Sequence, residues 1–104
     1  MIPANLQNLT IVAENLLRDD LIAVLRKHGA TGWTIGLVEG EGSRGVRATE
    51  WAGRNVKIDT LVSREIADAI LQEVSEKYFE DWALIAYTVD ARVLRGEKYL
   101  PDTK

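Results

Sequence analysis

The chain has 104 residues, enough for one small domain, and its 46% hydrophobic content is sufficient for a single core. A formal charge of −3 provides no global basic field for a nucleic-acid backbone, and the absence of cysteine excludes disulfides, zinc–thiolate sites and a thiol nucleophile. Met1-Ile2-Pro3-Ala4-Asn5 carries no basic region followed by an apolar run, and no apolar stretch approaches the roughly 18 residues of a membrane span. The expectation is a cytoplasmic protein of one domain, residues 1–104, with no membrane insertion.

Leu9 to Ala13 is short, β-branched and apolar, which predicts a buried strand. Glu14 and Asn15 end it, with Asn15 as the predicted cap of the helix that follows. Leu17, Leu21, Val24 and Leu25 recur at helical spacing, Asp19 and Asp20 lie in the first turn, and Gly29 is the stop. A second strand is predicted from Gly32 to about Glu39, where Trp33, Ile35 and Leu37 alternate with small or polar residues.

Residues 40 to 54 have no apolar periodicity and hold Gly40, Gly42, Gly45 and Gly53 together with Arg44, Arg47 and Arg54. A loop of this length in so small a domain is usually functional or disordered. Asn55 to Val62 alternates cleanly, with Val56, Ile58 and Thr60 on one face. Ser63 then caps a second helix with Ile66, Ala67, Ile70, Leu71, Val74 and Tyr78 inward and Glu65, Asp68, Glu73, Glu76 and Lys77 outward. Leu84 to Val89 is the fourth strand, and Arg92 to Tyr99 a short C-terminal segment.

The order β-α-β-β-α-β implies an α+β, ferredoxin-like fold, with both helices on one face of an antiparallel sheet. The other face then needs cover, which three copies around an axis would provide, so a homotrimer is expected.

Four segments carry a family resemblance. Leu17-Arg18-Asp19-Asp20-Leu21 resembles the first helix of PII signalling proteins, and Gly29-Ala30-Thr31-Gly32-Trp33-Thr34 resembles their G-x-T-G-x-T run. Val56-Lys57-Ile58-Asp59 is similar to their third strand, and Ala91-Arg92-Val93-Leu94-Arg95-Gly96-Glu97 to their C-terminal A-R-V-x-R…G-E. The glycine-rich, lysine-bearing segment that holds ATP phosphates in nitrogen-sensing members is replaced by Glu80-Asp81-Trp82-Ala83-Leu84. Arg44 stands in place of their loop-mouth glutamine, and residues 40–54 contain no tyrosine for uridylylation. The loop mouth, Gly40-Glu41-Gly42-Ser43-Arg44-Gly45-Val46-Arg47, and Lys77-Tyr78-Phe79-Glu80-Asp81-Trp82 instead resemble the PII-like branch associated with carboxysomes and bicarbonate transporters.

The resemblance implies a non-enzymatic regulatory sensor that holds ADP or AMP between subunits, with bicarbonate as a further candidate ligand and no metal cofactor. Its target would be a bicarbonate transporter or carboxysome component. The implied nucleotide residues are Val12, Thr34, Gly40, Gly42, Ser43, Arg44, Val46, Arg47, Arg92 and Arg95. The chemistry agrees: glycines let backbone amides approach an anion, Ser43 adds a hydroxyl, and Arg44 and Arg47 supply charge-assisted forks. Arg95 would reach a phosphate with Arg92 beside it, while Thr34 and Val12, read as lying on neighbouring strands, would form the adenine-side wall. Trp51, read as an exposed indole at the loop tip, is the candidate partner anchor.

Other residues have structural readings. His28 has no second histidine or cysteine for a metal and reads as a helix-end residue. Trp33 and Trp82 read as core or interface, and Asp19-Asp20 and Glu80-Asp81 as solvated faces. Three other functions compete on this fold. An acylphosphatase-like enzyme needs a glycine-rich loop after the first strand, where Glu14-Asn15-Leu16-Leu17 stands. An RNA-recognition module needs aromatics on central strands, where Ile58 and Thr60 are expected. A nucleotide-independent trimer of the copper-tolerance type would use the same architecture without ligand.

Overall fold

The structure is a computed structural model in which residues 3–40 and 55–98 are described. It contains β1 (Ala4–Glu14), a 3-10 turn (Asn15–Leu17), α1 (Arg18–Lys27), β2 (Thr34–Val38), β3 (Asn55–Val62), α2 (Arg64–Tyr78), β4 (Ile85–Val93) and a second 3-10 turn (Gly96–Lys98). The strands form one antiparallel sheet in the order β2-β3-β1-β4, the ferredoxin-like arrangement.

β1 is longer than its apolar run because it is a central strand, hydrogen-bonded on both sides. The polar stretch Ala4–Asn8 has no strand signal of its own, yet Ala4 pairs with Val93 and Gln7 with Asp90. The Gln7 Nε2 donates to the Asp90 carboxylate at 2.6 Å across that pair. The same pairing extends β4 to Val93, so Arg92 lies in a strand rather than in a separate C-terminal segment.

Alternation decides the core. Leu9, Ile11 and Ala13 of β1 and Val56, Ile58 and Val62 of β3 face the helices, and none is more than 2% exposed. Leu21, Val24 and Leu25 of α1 and Ala67, Ile70 and Val74 of α2 close over them. Ser63 caps α2 as expected, its hydroxyl accepting from the Ile66 amide at 3.3 Å. Asn15 is not a cap: the chain first makes the 3-10 turn, and α1 begins without any side-chain cap bond. Asp19 and Asp20 in its first turn still complement the helix dipole. Gly29 follows the C-cap His28 with a φ of 99°, a conformation that favours glycine.

Glu73 does not face outward. Its side chain, 12% exposed, turns toward α1 and accepts from Lys77 at 2.6 Å, His28 at 2.8 Å and Lys27 at 2.9 Å. These bonds, that from Lys77 foremost, hold its carboxyl down from the ordinary 4.5 to about 2. A depressed acid contributes stability in full above its unfolded pKa and loses it as pH falls through the folded value. Glu73 therefore stabilises the fold fully above about pH 4.5 and loses that contribution between 4.5 and 2. Urea unfolding across this window will show a shallower acid loss for Glu73→Gln than for the native protein.

Candidate functional site

The sheet face away from the helices carries two cross-strand rows. One runs Thr34, Asp59, Thr10, Tyr87, and the next runs Gly36, Lys57, Val12, Ile85. Thr34 and Val12 thus share a face, but β3 lies between their strands, which corrects the reading of them as neighbours. Within the first row the Thr10 hydroxyl donates to the Asp59 carboxylate at 2.5 Å, and Thr10 is 1% exposed. Thr34 is exposed and Val12 half-buried. Gly40, just past β2, is exposed at the end of the sheet from which residues 41–54 depart. Gly42, Ser43, Arg44, Val46, Arg47 and Trp51 lie outside the described residues.

Arg92 and Arg95 are at the opposite end. Arg92 pairs with Asn5, seven residues along β1 from Val12, and at about 3.3 Å per residue that separation is about 23 Å. Arg92 also alternates onto the helix side of β4, beside a groove of about 610 Å³ shared with Leu6, Gln7, Arg64 and Asp90. Arg64 stands 3.6 Å from the Asp90 carboxylate, which already holds the Gln7 amide. Arg95 follows in the turn with a φ of 61°. Both Arg92 and Arg95 are exposed, and neither forms an ion pair among the described residues.

The structure also exposes a feature that the sequence reading missed. Ile85 (56% exposed), Tyr87 (42%) and Val89 (50%) form an apolar stripe on the open face of β4, while the smaller Ala86 and Thr88 face the helices. The available signal was the run Leu84–Val89, where Leu84 and Ala86 stand at one parity and Ile85, Tyr87 and Val89 at the other, a pattern that marks a sheet covered on both faces. Val89 and Ala91 line an open-face groove of about 600 Å³ with Thr34, Asp59 and Leu61. The RNA-recognition reading is corrected at the same point. Ile58 and Thr60 face the helices, and the open-face residues of β3 are Lys57, Asp59 and Leu61.

The remaining singled-out residues have structural partners. His28 is the C-cap of α1 and bonds Glu73. Trp33 packs against the core with the Arg26 guanidinium 5.2 Å from its ring centre, and Trp82 also packs against the core. Among the described residues no cluster of histidine and carboxylates could hold a metal, and no helix is long and apolar enough to cross a membrane.

Solved structures share this architecture. A protein of Thermus thermophilus described as a PII-like signalling protein is 46% identical, covers 95% of this chain and 99% of its own, and superposes with a TM-score of 0.83. CPII of Thiomonas intermedia, described as a nitrogen regulatory PII-like protein bound to ADP, AMP and bicarbonate, is 22% identical. It covers 95% of this chain and 97% of its own, with a TM-score of 0.83. GlnK of B. subtilis in complex with ATP is more distant, at 19% identity, 82% coverage of both chains and a TM-score of 0.56. A model of the family described as nitrogen regulatory protein P-II matches residues 6–98. With that match spanning most of the sequence and the β2-β3-β1-β4 sheet beneath it, the chain belongs to the P-II family of signalling proteins.

Proposed function

We propose that this protein is a PII-like regulatory sensor that binds ADP or AMP between the subunits of a homotrimer, with bicarbonate as a further ligand. In this reading it regulates inorganic-carbon uptake or fixation in the cytoplasm, acting through residues 40–54 on a transporter or carboxysome component and catalysing no reaction. One observation carries the assembly claim. Val12 and the Arg92 position lie about 23 Å apart along the sheet, with Gly40 beyond the Val12 end, so a single ligand that meets both Val12 and Arg92 draws one of them from a second copy. The apolar open face of β4 is suited to bringing that copy into place. CPII supports the choice of ligands, since its structure holds ADP, AMP and bicarbonate on the same fold.

Within the site, Arg44, Arg47 and Ser43 would hold the phosphates at the loop mouth, with Gly40 and Gly42 allowing backbone approach and Val46 beside them. Thr34 and Val12 would wall the base, Arg92 and Arg95 would enter from the neighbouring subunit, and Trp51 would meet the protein target. No lysine or glycine stands at Asp81 to Leu84 to receive a third phosphate, so ADP or AMP is preferred over ATP with magnesium.

A thermal-shift panel of AMP, ADP, ATP with magnesium and cyclic AMP, each with and without bicarbonate, tests this. A ligand at 100 times its Kd stabilises each site by about 2.7 kcal/mol. ADP and AMP will give the largest shifts, and Arg44→Ala or Arg47→Ala will reduce them while leaving the assembly intact. Tenfold tighter binding of magnesium-ATP than of ADP would overturn the ligand assignment. A panel with no shift at all would favour a nucleotide-independent trimer.

A further inference from the structure

The turn after β4 is pinned twice to one residue. Val93, the last residue of β4, pairs with Ala4, and Gly96, three residues later, rests on the same Ala4. A Cβ placed on Gly96 would lie 2.2 Å from the Cβ of Ala4 and 3.4 Å from its Cα, so only glycine permits this approach. The turn is held from the other side as well. The Lys98 amide donates to the Arg95 carbonyl at 3.1 Å, and the Thr31 hydroxyl donates to the Lys98 carbonyl at 3.4 Å.

Between the two anchors stand only Leu94 and Arg95. A chain that leaves Ala4 and returns to it within two residues has to reverse direction. Arg95 takes the left-handed conformation that completes the reversal, its φ of 61° being the only positive value at a non-glycine among the described residues. Arg95 is exposed, and among the described residues no ion pair holds its side chain there. The constraint comes from the backbone on either side.

The geometry points to Gly96 as a positioning residue: by packing on Ala4 without a Cβ, it holds Arg95 left-handed and so aims the Arg95 guanidinium at the nucleotide phosphates. Gly96 is assigned no ligand contact of its own. The inference rests on the function proposed above and adds to it the reason that the Arg95 backbone is preorganised.

The test titrates ADP calorimetrically into Gly96→Ala, Arg95→Ala, the double variant Arg95→Ala/Gly96→Ala, and Ala4→Gly/Gly96→Ala. Exchange of the Lys98 amide is followed in each. Gly96→Ala is expected to weaken ADP binding by about tenfold to a hundredfold, the range for one charge-assisted hydrogen bond, and to accelerate Lys98 exchange. Ala4→Gly removes the atom that the new Cβ would strike and restores both. In the Arg95→Ala background, Gly96→Ala adds no further loss of affinity, because its effect passes through that side chain. Unchanged ADP affinity in Gly96→Ala overturns the proposal, as does an additive loss in the double variant. The exchange data separate the causes of failure. Unaltered affinity in Arg95→Ala removes Arg95 from the nucleotide site, faster Lys98 exchange with unaltered affinity in Gly96→Ala alone removes the coupling to Arg95 but keeps the packing, and unaltered exchange with no rescue by Ala4→Gly removes the packing itself.

Discussion

Val89→Asp will turn the assembled protein into monomers that no longer bind ADP. Val89 lies at the centre of the open face of β4, half-exposed, between Tyr87 and Ala91 in alternation. In an isolated subunit an aspartate there still meets solvent, and exposed substitutions rarely change stability by more than about 0.5 kcal/mol. In a trimer packed through this face, the same carboxylate is buried without a partner and repeated by symmetry in every copy. An unpaired buried charge costs about 3 kcal/mol or more, which weakens each contact more than a hundredfold. In the proposed function the ADP site goes with the assembly, because Arg92 lies about 23 Å along the sheet from Val12 of its own chain. Light scattering at micromolar concentration, circular dichroism and ADP calorimetry measure the three consequences. Ala23→Asp, on an exposed position of α1, serves as the control and alters none of them. A Val89→Asp protein of native size that still binds ADP would refute both the packing face and the intersubunit site.

Leu25→Ala will have the largest effect on the fold itself. Leu25 is 0% exposed at the C-terminal end of α1, and its carbonyl accepts from the Ala30 amide at 3.0 Å. The side chain therefore fills the core where the chain turns from α1 toward β2, and its loss leaves a cavity that the helix cannot collapse to fill. Leucine-to-alanine changes at such sites cost about 2–5 kcal/mol. For a domain of this size that corresponds to a fall in Tm of roughly 10 °C or more. Leu94→Ala, at a position 62% exposed, is the contrast and stays within about 0.5 kcal/mol. Urea unfolding at fixed protein concentration checks both, and equal effects of the two variants would contradict the assignment of the core.

What the residues determined unaided was local. The α1 stripe of Leu21, Val24 and Leu25 with Leu17 in the turn before it, the alternation of β3 and the Ser63 cap were legible because each depends on neighbours within one or two turns of chain. The order of these elements was enough for the sheet topology, since two one-sided helices leave few ways to cover one sheet. The chemistry of the candidate site was legible in part, because glycines, Ser43 and arginines declare an anion regardless of where the chain carries them.

Only the tertiary structure decided matters that depend on residues far apart in sequence. The ends of β1 and β4 were set by pairing between residues about 85 apart, so Asn5 and Gln7 joined a strand that their own propensities do not favour. Glu73 turned inward because α1 brought Lys27 and His28 to it across separations of 46 and 45 residues. The face of β4 was set by register, which sent Tyr87 and Val89 away from the helices and left the smaller Ala86 and Thr88 facing them. The same register places Arg92 and Arg95 at the far end of the sheet from Gly40. No spacing in a linear sequence contains that distance, and it is the physical reason that the proposed site needs more than one chain.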